Sequence, residues 1–165
     1  ISAIASKVPL ENTEMHCPET SRRCLIQADI TLDGKSVSLF AIHTTVPIFP
    51  ETFKSRNSEL EFMADIISQQ EKPVILVGDF NITPWSIYFQ SFLQKAQLYT
   101  RQSALSMPGG WPDFFYLSHI QLTIDHFLVS DELQVVERER KNVHFSDHMP
   151  VVNRVKFRDK GSVGQ

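Results

Sequence analysis

An α/β fold, with a mixed sheet and helices on one face, is what this 165-residue sequence predicts. Three features carry it: a two-residue hairpin signal at Asp33-Gly34, a helical-period apolar stripe between Phe53 and Gln70, and the uninterrupted apolar run Val74 to Val77. Strands joined both by hairpins and by helical crossovers belong to mixed sheets.

Taken in order, Arg23 to Leu32 and Lys35 to Ile42 read as strands flanking Asp33-Gly34, a dipeptide that favours tight hairpin turns. A polar loop with Pro47 and Pro50 follows. From Phe53 to Gln70, Leu60, Met63 and Ile67 recur at helical spacing with Phe62 and Ile66 beside them, a core-facing stripe. Pro73 ends that helix, and Val74 to Val77 form a strand that wants cover on both faces. Thr83-Pro84 reads as N-cap and first residue of a helix running to about Leu98. After a loop carrying Pro108-Gly109-Gly110-Trp111-Pro112, two more strands are expected near Gln121 to Val129 and Met149 to Phe157.

At 42% hydrophobic content the chain suffices for one domain, expected over residues 1–158, with 159–165 a flexible tail. The net charge of -3, with Lys and Arg scattered, shows no broad basic footprint for nucleic acid. No run approaches the ~18 apolar residues of a membrane span. The first residue is Ile1 and no signal-like apolar region follows it, so a processed chain or one cut from a longer chain is expected. Cys17 and Cys24 are expected as unpaired thiols, with a disulfide across a hairpin as the alternative.

Four elements interrupt apolar strands with chemistry-bearing residues. Gly78-Asp79-Phe80-Asn81 ends the buried run, where ligand sites of crossover sheets lie. The strand period of two puts Asp79 and Asn81 on one face, a carboxylate able to orient water or hold a hard cation and an amide able to donate to a phosphoryl oxygen. The plain alternative is an Asp/Asn turn feeding a helix. In Thr123 to Val129, Asp125 and His126 point to opposite faces; an acid there must be paired or hydrated, and His126 reads as structural or as a rim residue. Ser146-Asp147-His148 precedes the last strand and offers an imidazole for proton transfer. His43 closes another apolar strand, where a lone His is usually structural. Trp85, Trp111 and Phe114 are expected to be packed, as loop aromatic residues ordinarily are, with the rim of a substrate cleft as the alternative.

Together, G-D-F-N followed by T-P, then I-D-H-F-L-V-S, then S-D-H-M-P-V-V, with an H-T strand ahead of them, resemble the endonuclease/exonuclease/phosphatase superfamily. That group includes deoxyribonuclease I-like enzymes, apurinic/apyrimidinic endonucleases, neutral sphingomyelinases and inositol polyphosphate phosphatases. R-N-S-E-L at Arg56 to Leu60 and T-P-W-S after G-D-F-N are similar to bacterial members. The resemblance implies the C-terminal part of a four-layered α/β sandwich and a metal-dependent phosphodiesterase. It implies that Asp79 orients or deprotonates the attacking water, that Asn81 holds the phosphate, with Trp85 beside it, and that His148 contacts the phosphate with Asp125 fixing its tautomer. His43 is implied as a second catalytic histidine, and Asp147 with Asp79 as ligands of Mg2+, with Mn2+ as its substitute. Implied substrates are phosphodiesters, nucleic acid or phospholipid-like, in the bacterial cytoplasm or on a periplasm-facing domain of a membrane-anchored protein.

The opening Ile1 to Leu10 resembles a strand from midway through that domain, so an upstream Asn and the Glu that is the principal metal ligand have no counterpart. The missing part is expected to be lost or encoded elsewhere. Two consequences are expected: weak or absent activity for want of anionic ligands, and an apolar sheet face left bare, favouring self-association or a covering segment. A non-catalytic remnant that binds a partner through that face is the competing expectation.

Overall fold

A computed structural model describes residues 2–100, 110–112, 121–141 and 146–159. The expectations placed on Phe114, on residues 108–109 and on the tail beyond Asp159 fall outside them. The elements are β1 (Glu11–His16), β2 (Leu25–Leu32), β3 (Lys35–His43), α1 (Pro50–Ser68), β4 (Val74–Asp79), α2 (Ile87–Ala96), β5 (Asp125–Val129), β6 (Leu133–Arg140) and β7 (Val151–Phe157). The first five strands form one sheet in sequence order, parallel between β3 and β4 and antiparallel elsewhere; β6 and β7 make a separate antiparallel pair.

The hairpin at Asp33-Gly34 forms as expected: Leu32 pairs with Lys35, and both turn residues take left-handed conformations, φ 48° and 75°. Pro50 sits at the first turn of α1, where its missing N–H costs nothing, and Thr52 Oγ1 accepts from the Phe49 N–H at 2.9 Å. α1 then crosses from β3 to β4 and lays Leu60, Met63, Ala64 and Ile67 against the sheet. Phe40, Leu76 and Leu128 meet that stripe from β3, β4 and β5, and Phe89, Phe92 and Ala96 of α2 complete the layer. Because side chains alternate along a strand, Val37, Ile75 and Val129 go to the opposite face.

That opposite face is where the sequence reading falls short. The reading leaves it bare, but Leu133, Val135, Val155 and Phe157 of the β6–β7 hairpin pack on it. β6 went unrecognised because its sequence, LQVVERER, loses the apolar alternation after Val136 in a run of charges. β1 is likewise unread: ENTEMH is polar because an edge strand with an exposed surface needs no apolar side. The second helix begins at Ile87 with Ser86 as N-cap, not at Thr83-Pro84, and ends at Ala96 through Gln97 in a left-handed conformation. Residues 2–10 form no strand. Cys17 and Cys24, expected as thiols, are disulfide-bonded, since the antiparallel pairing that ends at His16 and Leu25 brings their Cα atoms to 4.3 Å.

Gly78 has φ 145°, and a Cβ there would stand 2.0 Å from the Ile42 carbonyl oxygen on β3. The obstacle is backbone, so no rotamer change relieves it. Gly78→Ala is expected to destabilise the fold by more than about 3 kcal/mol, read as a large drop in the urea midpoint.

His126 is buried between α2 and the sheet, its Nε2 2.8 Å from the Ile82 carbonyl oxygen and its ring against Phe89 and Phe80. Burial lowers its pKa from 6.5 to about 4. The folded state therefore favours neutral imidazole, a stabilisation complete above the unfolded value and lost as pH falls towards the folded one. Between pH 7 and 4 this amounts to about 3 kcal/mol. His126→Phe is expected to remove that component from a series of urea unfolding curves; an unchanged pH slope refutes it.

Candidate active site

Strand register gathers the first three candidate residues. His43 at the end of β3 is the direct partner of Asp79 at the end of β4, and Asp79 is the direct partner of Asp125 at the start of β5. One transverse row thus carries an imidazole and two carboxylates where the core ends and loops begin. Asp79 Oδ2 lies 3.7 Å from His43 Nε2 and 3.9 Å from His148 Nε2, while His148 Nδ1 is 2.8 Å from Asp125 Oδ2. The short contact is a hydrogen bond; the longer two couple charges only. With Asp125 accepting at Nδ1, Nε2 of neutral His148 is left as the acceptor facing Asp79.

The turn after β4 is built by its own side chains. Asp79 Oδ1 accepts from the Asn81 N–H at 2.8 Å, an Asx-type turn that lets Asn81 adopt φ 48°. Strand pleat alone was expected to align Asp79 with Asn81, but the strand stops at Asp79, Phe80 dives into the core, and this turn returns Asn81 to the cleft. Asn81 Nδ2 donates to the Thr44 carbonyl oxygen at 3.0 Å, which ties the turn to the loop leaving β3.

Burial raises the Asp79 pKa, and the negative charge of Asp125 adds to that; the Asn81 N–H bond and the two histidines pull the other way. Burial lowers the His43 pKa, with Arg23 acting in the same sense and Asp79 opposing. Asp79, Asp125 and His148 each place a ligand atom within 4.8 Å of the others. Two carboxylates and an imidazole so close form a donor set suited to a cation, and the oxygen-rich part suits a hard one.

A cleft of about 730 Å3 opens beside His43 and Asp79, lined among others by those two, Asn81, Asp147 and His148, whereas Asp125 lines a neighbouring cavity of about 490 Å3 that also reaches His148. Asp147 lies outside the three-residue cluster, and its Oδ2 accepts from Trp111 Nε1 at 3.2 Å. Trp111 lines the cleft with its ring centroid 6.2 Å from that of His148, whereas Trp85 is 57% exposed and does not line it. Sequence reasoning gave no role to Arg56 or Glu59, both buried and bonded to the loops that carry these residues. Their signal was present: with Leu60, Met63 and Ile67 they continue the buried face of α1 at helical spacing.

Asp125→Asn removes a negative charge facing Asp79 while keeping the shape of the side chain. The Asp79 carboxyl is expected to titrate at lower pH than in the unsubstituted protein, followed by carbon-13 NMR of its carboxyl; a midpoint that stays or rises contradicts the coupling.

The profile of the Endonuclease/Exonuclease/phosphatase family matches residues 2–148. A comparison with curated proteins finds no match. Among solved structures, an endonuclease/exonuclease/phosphatase of Beutenbergia cavernae superposes with TM-score 0.74 at 22% identity, covering 92% of this chain and 46% of its own. The human Nocturnin catalytic domain gives 0.65 at 19% identity, covering 91% and 60%. A mannosyl-6-phosphatase of Bacteroides thetaiotaomicron gives 0.58 at 22% identity, covering 82% and 57%. This chain thus spans about half to three fifths of the length of these structures, and at such identities the likeness is one of fold.

Proposed function

The chain belongs to the endonuclease/exonuclease/phosphatase family, and on that premise we propose that it hydrolyses phosphodiesters in the cleft over His43, Asp79 and His148. The observation that carries this reading is the convergence of His43, Asp79, Asn81 and His148 around one cleft, from the ends of β3 and β4, the turn after β4 and the loop before β7, with Asp125 of β5 holding His148 from behind.

In this reading Asp79 orients a water and accepts its proton as the water oxygen bonds to phosphorus. Its pKa, raised by burial, makes it a better base than an exposed carboxylate. The Asn81 amide, with a second N–H beyond the one given to Thr44, holds a phosphoryl oxygen. His148, held at Nδ1 by Asp125, directs Nε2 at the phosphoryl group and stabilises its developing charge in the protonated form. His43 delivers a proton to the leaving oxygen as its bond to phosphorus breaks. Trp85, on the surface beyond the cleft lining, extends the binding surface for the remainder of the substrate.

Mg2+, or Mn2+ in its place, would be held by the carboxylates of Asp79 and Asp125, which with His148 bring ligand atoms within 4.8 Å of one another; Asp147, the expected partner of Asp79, lines the same cleft but stands outside that group. When bound, such an ion polarises the phosphoryl oxygen. Substrates are nucleic acid or phospholipid-like diesters, and the net charge of -3 tilts the balance slightly away from long nucleic acid.

With the β6–β7 hairpin against the second sheet face, no observation on the described residues calls for self-association or a covering segment, and none favours a non-catalytic remnant. No described helix is long and apolar enough to cross a membrane. The Cys17–Cys24 disulfide supports the periplasm-facing of the two placements expected, because disulfides persist in oxidising compartments. Thiol titration of the denatured protein, isolated without reductant from cells that make it naturally and trapped with alkylating agent at lysis, is expected to find no free cysteine; two reactive thiols refute that placement.

Asp79→Ala and His148→Ala are each expected to lower the rate on bis-p-nitrophenyl phosphate with Mg2+ by ~100-fold or more. The same assay on DNA and phospholipid vesicles separates the substrate classes. Rates equal to that of the unsubstituted protein refute the assigned roles.

A further inference from the structure

Two ionisable side chains of α1, Arg56 and Glu59, are 3% and 1% exposed and have no part in the chemistry above. Burying a charge is costly unless its bonds compensate, so their partners account for their presence. Arg56 Nη1 donates to the Asn81 carbonyl oxygen at 2.7 Å, and its Nε donates to Asn57 Oδ1 at 2.8 Å. Glu59 Oε2 accepts from the Thr45 N–H at 2.8 Å. Its Oε1 accepts from the hydroxyls of Thr45 at 2.7 Å, Ser21 at 2.5 Å and Ser55 at 3.2 Å.

The two residues stand three apart, on one face of the helix. One grips the turn that follows β4 and the other the loop that follows β3. Between those grips, Asn81 Nδ2 bonds the Thr44 carbonyl, closing a ring of contacts from α1 through both loops and back. Adjoining the ring are His43, one residue before Thr44, and Asp79, which opens the turn whose Asn81 is held in a left-handed conformation that a non-glycine residue seldom adopts unaided.

We propose that Arg56 and Glu59 are positioning residues that hold the β3 and β4 loops in one fixed register, setting the aim of the Asn81 amide and the separation of His43 from Asp79. The proposal rests on the reading of this cleft as a hydrolytic site for its kinetic consequence, but not for its geometric one. Bonds that served stability alone would be replaceable by packing; bonds that serve aim would not.

Four variants test it: Arg56→Lys, Glu59→Gln, Glu59→Ala, and Leu133→Ala as a core control packed on the far face of the sheet. The readouts are kcat and KM on bis-p-nitrophenyl phosphate, the melting temperature, and the Asn81 side-chain amide resonances in a nitrogen-15 correlation spectrum. Arg56→Lys and Glu59→Ala are expected to lower kcat by about tenfold or more with a smaller change in KM, and to displace the Asn81 resonances. Glu59→Gln, which keeps an acceptor for the Thr45 N–H, recovers most of the loss. Leu133→Ala lowers the melting temperature yet leaves kcat and the Asn81 resonances near their original values. If Glu59→Ala does not fold, Arg56→Lys and Glu59→Gln carry the comparison.

The proposal is overturned if Arg56→Lys and Glu59→Gln both leave kcat and the Asn81 resonances unmoved, or if Leu133→Ala moves them equally. Should the unsubstituted protein hydrolyse no phosphoester, the proposed activity fails while the resonances still decide the positioning role.

Discussion

The parallel pairing of β3 with β4 is the constraint on which the rest of this molecule depends. It sets His43 opposite Asp79, and it forces the backbones so close at Ile42 and Gly78 that only glycine fits. Parallel neighbours need a crossover, and α1 is that crossover. The same helix therefore supplies Leu60, Met63, Ala64 and Ile67 to one core layer and, at its N-terminal half, the ionic grips on both loops. Core packing and site geometry are two uses of one element, which is why an apolar stripe and a pair of buried charges share its inner face.

The electrostatics follow from where that pairing ends. Asp79 is the last residue of its strand, at the boundary between a dry layer and an open cleft. Burial raises its pKa while the neighbouring imidazoles oppose the shift, so its environment is divided between forces that favour and disfavour charge. His126, one residue beyond Asp125 but on the other side of the sheet, is buried against Phe80 and Phe89 with its Nε2 at a carbonyl, and that burial, helped by the positive charge of Arg138, disfavours its protonated form. Adjacent residues thus take opposite roles because a strand presents them to different solvents.

Much of this was legible in the sequence, and the exceptions share a cause. The Asp33-Gly34 hairpin, the stripe of α1 and the Val74 run declare themselves because each follows a local rule of turn chemistry or periodicity. The strands β1 and β6 do not, since one is a solvent-facing edge and the other carries charges on a half-exposed ribbon; only their neighbours make them strands. The candidate residues stood out as polar interruptions at the ends of apolar runs, a pattern that marks positions but not distances. That His148 would reach Asp125 across twenty-three residues of sequence, and that Asp147 would turn to Trp111, are tertiary outcomes. Arg56 and Glu59 stood in the R-N-S-E-L resemblance but received no role, because charged residues on a helix are ordinarily solvent-facing and nothing in their spacing says otherwise except continuity with the stripe.

The site straddles two separately hydrogen-bonded sheets. His43, Asp79 and Asp125 ride on the larger one, whereas His148 arrives just ahead of β7, in a two-stranded ribbon joined to it chiefly through Leu133, Val135, Val155 and Phe157. A greasy seam, remote from any reacting atom, thereby sets how faithfully one half of the machinery faces the other. One truncation among those four side chains weakens the fold while the ribbon keeps its seat; only accumulated loss over evolutionary time would let the halves part, so selection on catalysis reaches the hydrophobic interior late and collectively.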